Sequence, residues 1–267
     1  MQVTQNLGGG TCQLGSVDLA TGVVTPLPHV GADVCGSDLA LTPDGRLFGL
    51  GSNPGQPAGP IHLFQFDTAT GQRAADLGQV GTFNAFAGPS NAGLAFDLSG
   101  AVFVVMVGQD AGCGGGSPCL YRASLTNPSA AQFIGAGPLG SHLQGLAISC
   151  LGAAVTLDRP GANALLASRN LSTGAVSPIG TGVGATTTVL GLDFDSAGTL
   201  WGVGSTNNGV PVSHVFTLDP TTGLASVGPL LTGTTGVPVA LALSGCSLPP
   251  PPPGPPPAVV VVPRFTG

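Results

Sequence analysis

The chain has 267 residues, 7% charged and 42% apolar, with 45 Gly, 25 Pro and six Cys; its six basic residues are all Arg, its twelve acids all Asp, and its net charge is −6. Six Arg cannot build the basic surface that neutralises phosphates or anionic headgroups, which excludes nucleic-acid binding and a polybasic membrane contact. No apolar run approaches the ~20 residues of a membrane-spanning helix.

Without Glu or Lys the chain lacks the charged residues that favour helices, whereas Val, Thr and Phe between Gly-rich turns favour strands. Its length suits one large all-β domain. Met1 leads straight into polar residues, with no basic start or apolar stretch of a secretory signal. An even number of cysteines in a chain poor in His and acidic clusters points to an oxidising compartment. The expectation is an exported protein, extracellular or at the cell surface, whose signal was removed or lies outside this chain.

In chain order, two half-phrases alternate. One reads apolar strand, Asp-x-x-x-Gly turn, apolar strand, at residues 14–28 (LGSVDLATGVVTPLP), 63–78 (LFQFDTATGQRAADLG) and 215–230 (VFTLDPTTGLASVGPL). The other reads short buried strand, tight turn, apolar or aromatic strand, at 39–50 (LALTPDGRLFGL), 94–105 (LAFDLSGAVFVV) and 192–203 (LDFDSAGTLWGV). The turn residues Asp18 and Asp67 are 49 residues apart, as are Asn170 and Asp219. A period of that length holding four short strands is the signature of a β-propeller blade.

Naming strands A to D outward from the axis, the sequence predicts A strands at 38–42, 92–97, 144–149, 190–195 and 239–244. B strands fall at 47–52, 102–107, 154–158 and 200–205. C strands fall at 13–18, 62–67, 120–125, 165–171 and 214–219, each followed by a D strand. The expected fold is an all-β, five-bladed β-propeller spanning residues 1–246, with N-/C-terminal ring closure in one blade. That blade combines the A strand at 239–244 with the first C–D pair; its B strand comes from residues 2–5 or is missing. Residues 247–267 form a Pro-rich tail, with PPPPPGPPP at 249–257 as a polyproline II spacer.

The phrases LFQFDTATG, VFTLDPTTG, GLAFDLSGAVFVV and GLDFDSAGTLWGV resemble the repeats of secreted bacterial propellers of the NHL and YVTN type, over roughly residues 13–244. The resemblance implies the fold. The matching residues are strand and turn positions, and propellers serve as lectins, scaffolds, lyases and glycosidases, so it selects no chemistry.

Candidate chemistry is sparse. Each Asp-containing turn offers one carboxylate, where calcium needs several converging oxygens, so these aspartates read as turn caps. Cys113 and Cys119 bracket CGGGSPC. They read as a local disulfide rather than half a zinc site, since no paired His motif accompanies them. The remaining pairing proposed is Cys12 with Cys35 and Cys150 with Cys246, with Cys12–Cys246 as a rival that would lock the ring directly. No metal and no cofactor are expected.

Asp193 stands out because its counterparts in the other A strands are Ala40, Ala95, Ala147 and Ala242. A carboxylate near the axis could bind a cation or act as an acid, but more often such a group accepts from a neighbouring blade's backbone. Asp33, Asp110 and Asp158 are the other acids outside obvious structural roles, and no spacing pairs them as a glycosidase requires. His29, His62, His142 and His214 read as ordinary exposed positions, and Trp201 and Tyr121 as core.

The leading expectation is a non-catalytic extracellular or surface binding scaffold. The B–C and D–A loops, above all residues 79–91 and 108–118, would carry recognition, and the candidate binding residues are Asp193 near the axis with Asp110, Asn84 and Asn91. The partner would be a protein or glycan. The alternatives are a carbohydrate-active enzyme or lyase at the axial mouth, and a self-associating structural protein.

Overall fold

The computed structural model describes residues 2–8, 11–31, 38–52, 60–81, 92–107, 113, 118–137, 143–158, 164–184, 188–206, 212–233 and 237–243. Among them lie twenty strands: β1 (Gln2–Gly8), β2 (Thr11–Val17), β3 (Val24–Gly31), β4 (Asp38–Leu41), β5 (Leu47–Ser52), β6 (Ile61–Phe66), β7 (Arg73–Gln79), β8 (Ala92–Phe96), β9 (Val102–Val107), β10 (Pro118–Ala123), β11 (Gln132–Ala136), β12 (Leu143–Ile148), β13 (Ala154–Asp158), β14 (Leu165–Arg169), β15 (Val176–Ile179), β16 (Thr188–Phe194), β17 (Leu200–Ser205), β18 (Ser213–Leu218), β19 (Ala225–Leu230) and β20 (Val237–Ala242). They pair into antiparallel four-stranded sheets. Four sheets are simple meanders, β4–β7, β8–β11, β12–β15 and β16–β19; the fifth has the order β20–β1–β2–β3. The architecture is an all-β propeller.

β1 pairs with both β20 and β2, so the N-terminal strand occupies the B position of the mixed sheet. Inner strands of successive sheets are neighbours, β4 with β8, β8 with β12, β12 with β16 and β16 with β20, and β20 also contacts β4.

Apolar residues on both faces of the inner strands and of the C strands build the core. β8 is buried throughout, and β6 is buried except at its half-buried His62 and Gln65. The clusters each span two consecutive sheets. Phe48 and Leu63 pack with Leu94 and Tyr121, Val155 and Leu166 with Leu192 and Phe216, and Leu14 with Phe64 and Leu39. Each fully buried Phe or Leu contributes ~1.5–3 kcal/mol by leaving water. One sheet alone has no partner for these faces, which is why repeats of this kind stack.

The Asp-x-x-x-Gly turns also join sheets. In each, the Asp side chain caps its own turn: Asp67 Oδ1 accepts from Ala69 N (3.0 Å) and Thr70 N (2.7 Å), and Asp219 Oδ1 from Thr221 N (2.8 Å). The closing Gly has positive φ and lies against the D strand of the preceding sheet. A Cβ on Gly223 would stand 2.3 Å from Ile179 O, and one on Gly22 would stand 2.2 Å from Leu230 O. Backbone bonds continue the contact, with Thr232 N donating to Gly22 O (3.0 Å) and His29 N to Thr70 O (2.9 Å). In the β8–β11 sheet the motif is replaced by a 3-10 turn at Pro128–Ala130, and Pro128 O accepts from Gly81 N instead (3.0 Å).

Candidate functional site

Among the described residues the inner strands carry two carboxylates, Asp38 and Asp193, and only Asp193 was singled out by sequence. Aligning the inner strands as DLAL, GLAF, GLAI, GLDF and ALAL puts Asp38 opposite Gly93, Gly145, Gly191 and Ala240. The glycines let the strands close in: a Cβ on Gly93 would stand 2.7 Å from Gly145 C and 2.8 Å from Leu146 N. Asp38 is the exception, and its side chain is fully buried. Its Oδ1 accepts from Leu39 N at 3.0 Å, and its Oδ2 from Leu94 N at 2.9 Å and Leu146 N at 3.3 Å. Sequence reading missed it because it opens its strand and reads as a boundary residue. Its mismatch with small residues in every other repeat was the available signal, the same one that marks Asp193.

Asp193 stands on β16, two positions further along the aligned inner strands than Asp38, and is half-buried. Its Oδ1 accepts from Phe194 N at 2.8 Å, and its Oδ2 from Leu243 N, just past β20, at 2.9 Å. The two carboxylates together therefore take N–H groups from β4, β8, β12, β16 and the end of β20, one from each inner strand. Burial pushes the Asp193 carboxyl up to about 7, against the pull of its two backbone donors. Burial also raises Asp38 well above the usual aspartate range, and the negative charge of Asp193 adds to that.

Asp193 faces a cavity of about 120 Å³ at the A–B turn end of the axis, lined also by Thr42, Phe96, Asp97, Ser149 and Leu243. A wider open groove of about 830 Å³ lies on the same end, between the β12–β15 and β16–β19 sheets. Leu151, Ser168, Asn170, Leu171, Ile179 and Phe194 border it. Both lie at the end opposite the B–C and D–A loops. Of the residues expected there, Asp110, Asn84 and Asn91 fall outside the described residues, as do Asp33, His142, Cys35 and Cys246. Asp158 closes β13.

Cys113 and Cys119 form a disulfide, with a Cα–Cα distance of 5.9 Å, and Cys113 Sγ lies 2.8 Å from the buried Tyr121 hydroxyl. Cys12 and Cys150 are also disulfide-bonded. Two aromatic and histidine expectations need correction. Trp201 packs against the core cluster of Val203 and Val215 but is only half-buried: its Nε1 donates to Asp195 Oδ2 at 2.7 Å, because the indole N–H needs an acceptor that Phe48 and Phe103 in the matching positions do not. His62 and His214 are half-buried on their C strands; His62 Nδ1 lies 2.9 Å from Asp76 Oδ1. Among the described residues no three His, Cys, Asp or Glu side chains gather as metal ligands, and no helix is long and apolar enough to cross a membrane.

No protein-family profile matches this chain, and no curated protein matches it in sequence. Solved structures do. A candidate gluconolactonase is similar over 90% of this chain and 81% of its own, at 14% identity and a TM-score of 0.51. Virginiamycin B lyase from Staphylococcus aureus is similar over 90% and 74%, at 12% identity and a TM-score of 0.44. A candidate TolB from Agrobacterium tumefaciens is similar over 86% and 70%, at 12% identity and a TM-score of 0.46. At 14% identity the likeness to the candidate gluconolactonase is one of fold alone, and the sheets described above define the class as β-propeller.

Proposed function

We propose that residues 1–246 are an exported five-bladed propeller, closed through the β20–β1 pairing, and that residues 247–267 are a Pro-rich stalk. The domain acts as a non-catalytic binding module, extracellular or at the cell surface, for a protein or glycan. The observation that carries this reading is the use made of the axis. Its two acids are engaged by five backbone N–H groups, one per inner strand, which is the work of a strut. The cavity left beside them, about 120 Å³, is smaller than the ~300–1,000 Å³ of pockets that enclose small-molecule substrates. Recognition is then assigned to the B–C and D–A loops, with Asp110, Asn84 and Asn91 as contacts.

A second reading, an acid–base enzyme of carbohydrates or a lyase at the axial mouth, draws on Asp193, whose carboxyl titrates near neutrality while facing the cavity. Self-association draws on Leu224, Val227 and Leu230, exposed on and beside the outer strand β19.

The test is a binding screen of the oxidised protein against glycans and cell-wall polymers, with and without calcium. The proposal expects a hit that Asp110→Ala, Asn84→Ala or Asn91→Ala weakens. Saturable binding untouched by all three changes would remove the loop assignment.

A further inference from the structure

The six cysteines leave few ways to pair. Cys113 and Cys119 hold each other, and Cys12 and Cys150 are both disulfide-bonded. The register of the mixed sheet separates these last two. Cys12 pairs with Asn6 across β1 and β2, and Asn6 with Val237 at the start of β20. Leu243 lies six residues beyond Val237, ~20 Å along the strand direction at ~3.3 Å per residue. It borders the axial cavity together with Ser149, the neighbour of Cys150. Cys12 and Cys150 therefore stand at opposite ends of the sheets and cannot meet, since a disulfide needs Cα atoms within ~7 Å.

Each must then bond to Cys35 or Cys246, and reach decides which. Cys246 is three residues past Leu243, an extended reach of ~10 Å. With the ~7 Å of a disulfide added, it still falls short of the ~20 Å back to Cys12, and β2 stands two strands away from β20 besides. Cys35 is four residues past Gly31, which pairs with Cys12 across β2 and β3. The pairs left are Cys12 with Cys35 and Cys150 with Cys246.

Cys150 also borders the groove of about 830 Å³. Leu151, Phe194, Leu171, Ile179 and Pro220 make its walls apolar, and among the described residues no acid lines it, in a chain of net charge −6. It runs from the inner strands at Cys150 and Phe194 to the outer strand β15 at Ile179, three strand spacings or ~14 Å. The chain after Cys246 reads SLPPPPPG, which carries no charge. Its five prolines span ~15 Å in polyproline II form, at ~3.1 Å per residue. A segment stiffened in this way loses little entropy on docking in an apolar groove.

We propose that a Cys150–Cys246 disulfide moors the Pro-rich tail in this groove, with residues 247–253 as its occupant. The disulfide sets residue 246 at the inner end of the groove, and the proline run matches its length. The mooring straps the end of β20 to the turn after β12. It covers Leu151, at 96% the most exposed large apolar side chain among the described residues. The rest of the tail then leaves from the rim, at the end opposite the B–C and D–A loops, whatever those loops bind.

Two measurements on the full chain test this. Peptide mapping without reduction should recover Cys150 linked to Cys246 and Cys12 linked to Cys35. In the protein carrying Pro251→p-benzoylphenylalanine, ultraviolet light should join residue 251 to the groove walls, at residues 168–172 or 179. That cross-link should form within one molecule, equally at low and high protein concentration, and fall severalfold when Cys150→Ser and Cys246→Ser are added. A Cys12–Cys246 link would overturn the mooring. So would cross-links between two copies, cross-links confined to other surfaces, or a yield indifferent to the double Ser change. The mapping of the wild type decides the disulfide even where the Ser variant does not fold.

Discussion

Replacing Asp38 by Ala tests the strut most severely. The carboxylate accepts three backbone N–H groups, from Leu39, Leu94 and Leu146, in a site with no solvent access. Each buried donor left without an acceptor costs ~1–3 kcal/mol, so the loss is ~3–9 kcal/mol before compensation. Removing a buried acid also removes its desolvation cost, which places the net effect in the lower half, ~3–5 kcal/mol. That is a large share of the ~5–15 kcal/mol by which a domain is stable. Asp38→Asn keeps one acceptor oxygen and orphans fewer donors, for ~1–3 kcal/mol. Asp193→Ala orphans two donors at a site that water reaches, which makes it milder than Asp38→Ala. Urea unfolding at about pH 6, followed by the fluorescence of Trp201, gives all three values, since the chain has one Trp. An Asp38→Ala protein within ~0.5 kcal/mol of wild type, or one more stable than Asp193→Ala, would refute the reasoning.

Other consequences are smaller. Cys113→Ser with Cys119→Ser opens a short loop whose closure is worth about 2 kcal/mol, and the unfolding midpoint should fall accordingly. Because both sulfurs are buried, a mild reductant should leave that disulfide intact in the folded protein, as thiol labelling would show. Gly93→Ala drives a methyl into the backbone of Gly145 and Leu146 and should cost at least ~1–3 kcal/mol, whereas Gly100→Ala, with open space around it, should cost ~1 kcal/mol through its positive φ alone. Carboxyl NMR should find Asp219, held by the Thr221 hydroxyl and backbone, titrating at about 2, and Asp193 at about 7.

Most of the sheet plan is legible in the sequence because it is local. Side chains alternate along each strand, and Asp and Gly mark each turn, so phrases such as LFQFDTATG announce their strands without reference to anything distant. The sharing of one sheet by β1 and β20 was half legible, since residues 2–5 were one of two candidates for its B strand. The second duty of the turn glycines was hidden: docking Gly22 on Leu230 is a contact between segments far apart in the chain. The axial site was hidden for the same reason. Asp38 looks like the first residue of a strand until five strands are laid side by side, and only then does it stand where every other repeat has Gly or Ala. Asp193 was found because its odd position is the centre of its phrase. Its backbone partner, Leu243, could not be named from a repeat 50 residues away.

The most direct test of the account compares binding and chemistry on the same ligand. A polymer or protein captured in the screen is incubated with the wild type and with Asp193→Asn, and both affinity and product are measured by calorimetry and mass spectrometry. The account predicts equal affinity for the two proteins and an unchanged ligand. A product formed by the wild type and lost in Asp193→Asn would contradict it, and would make the axial mouth an active site.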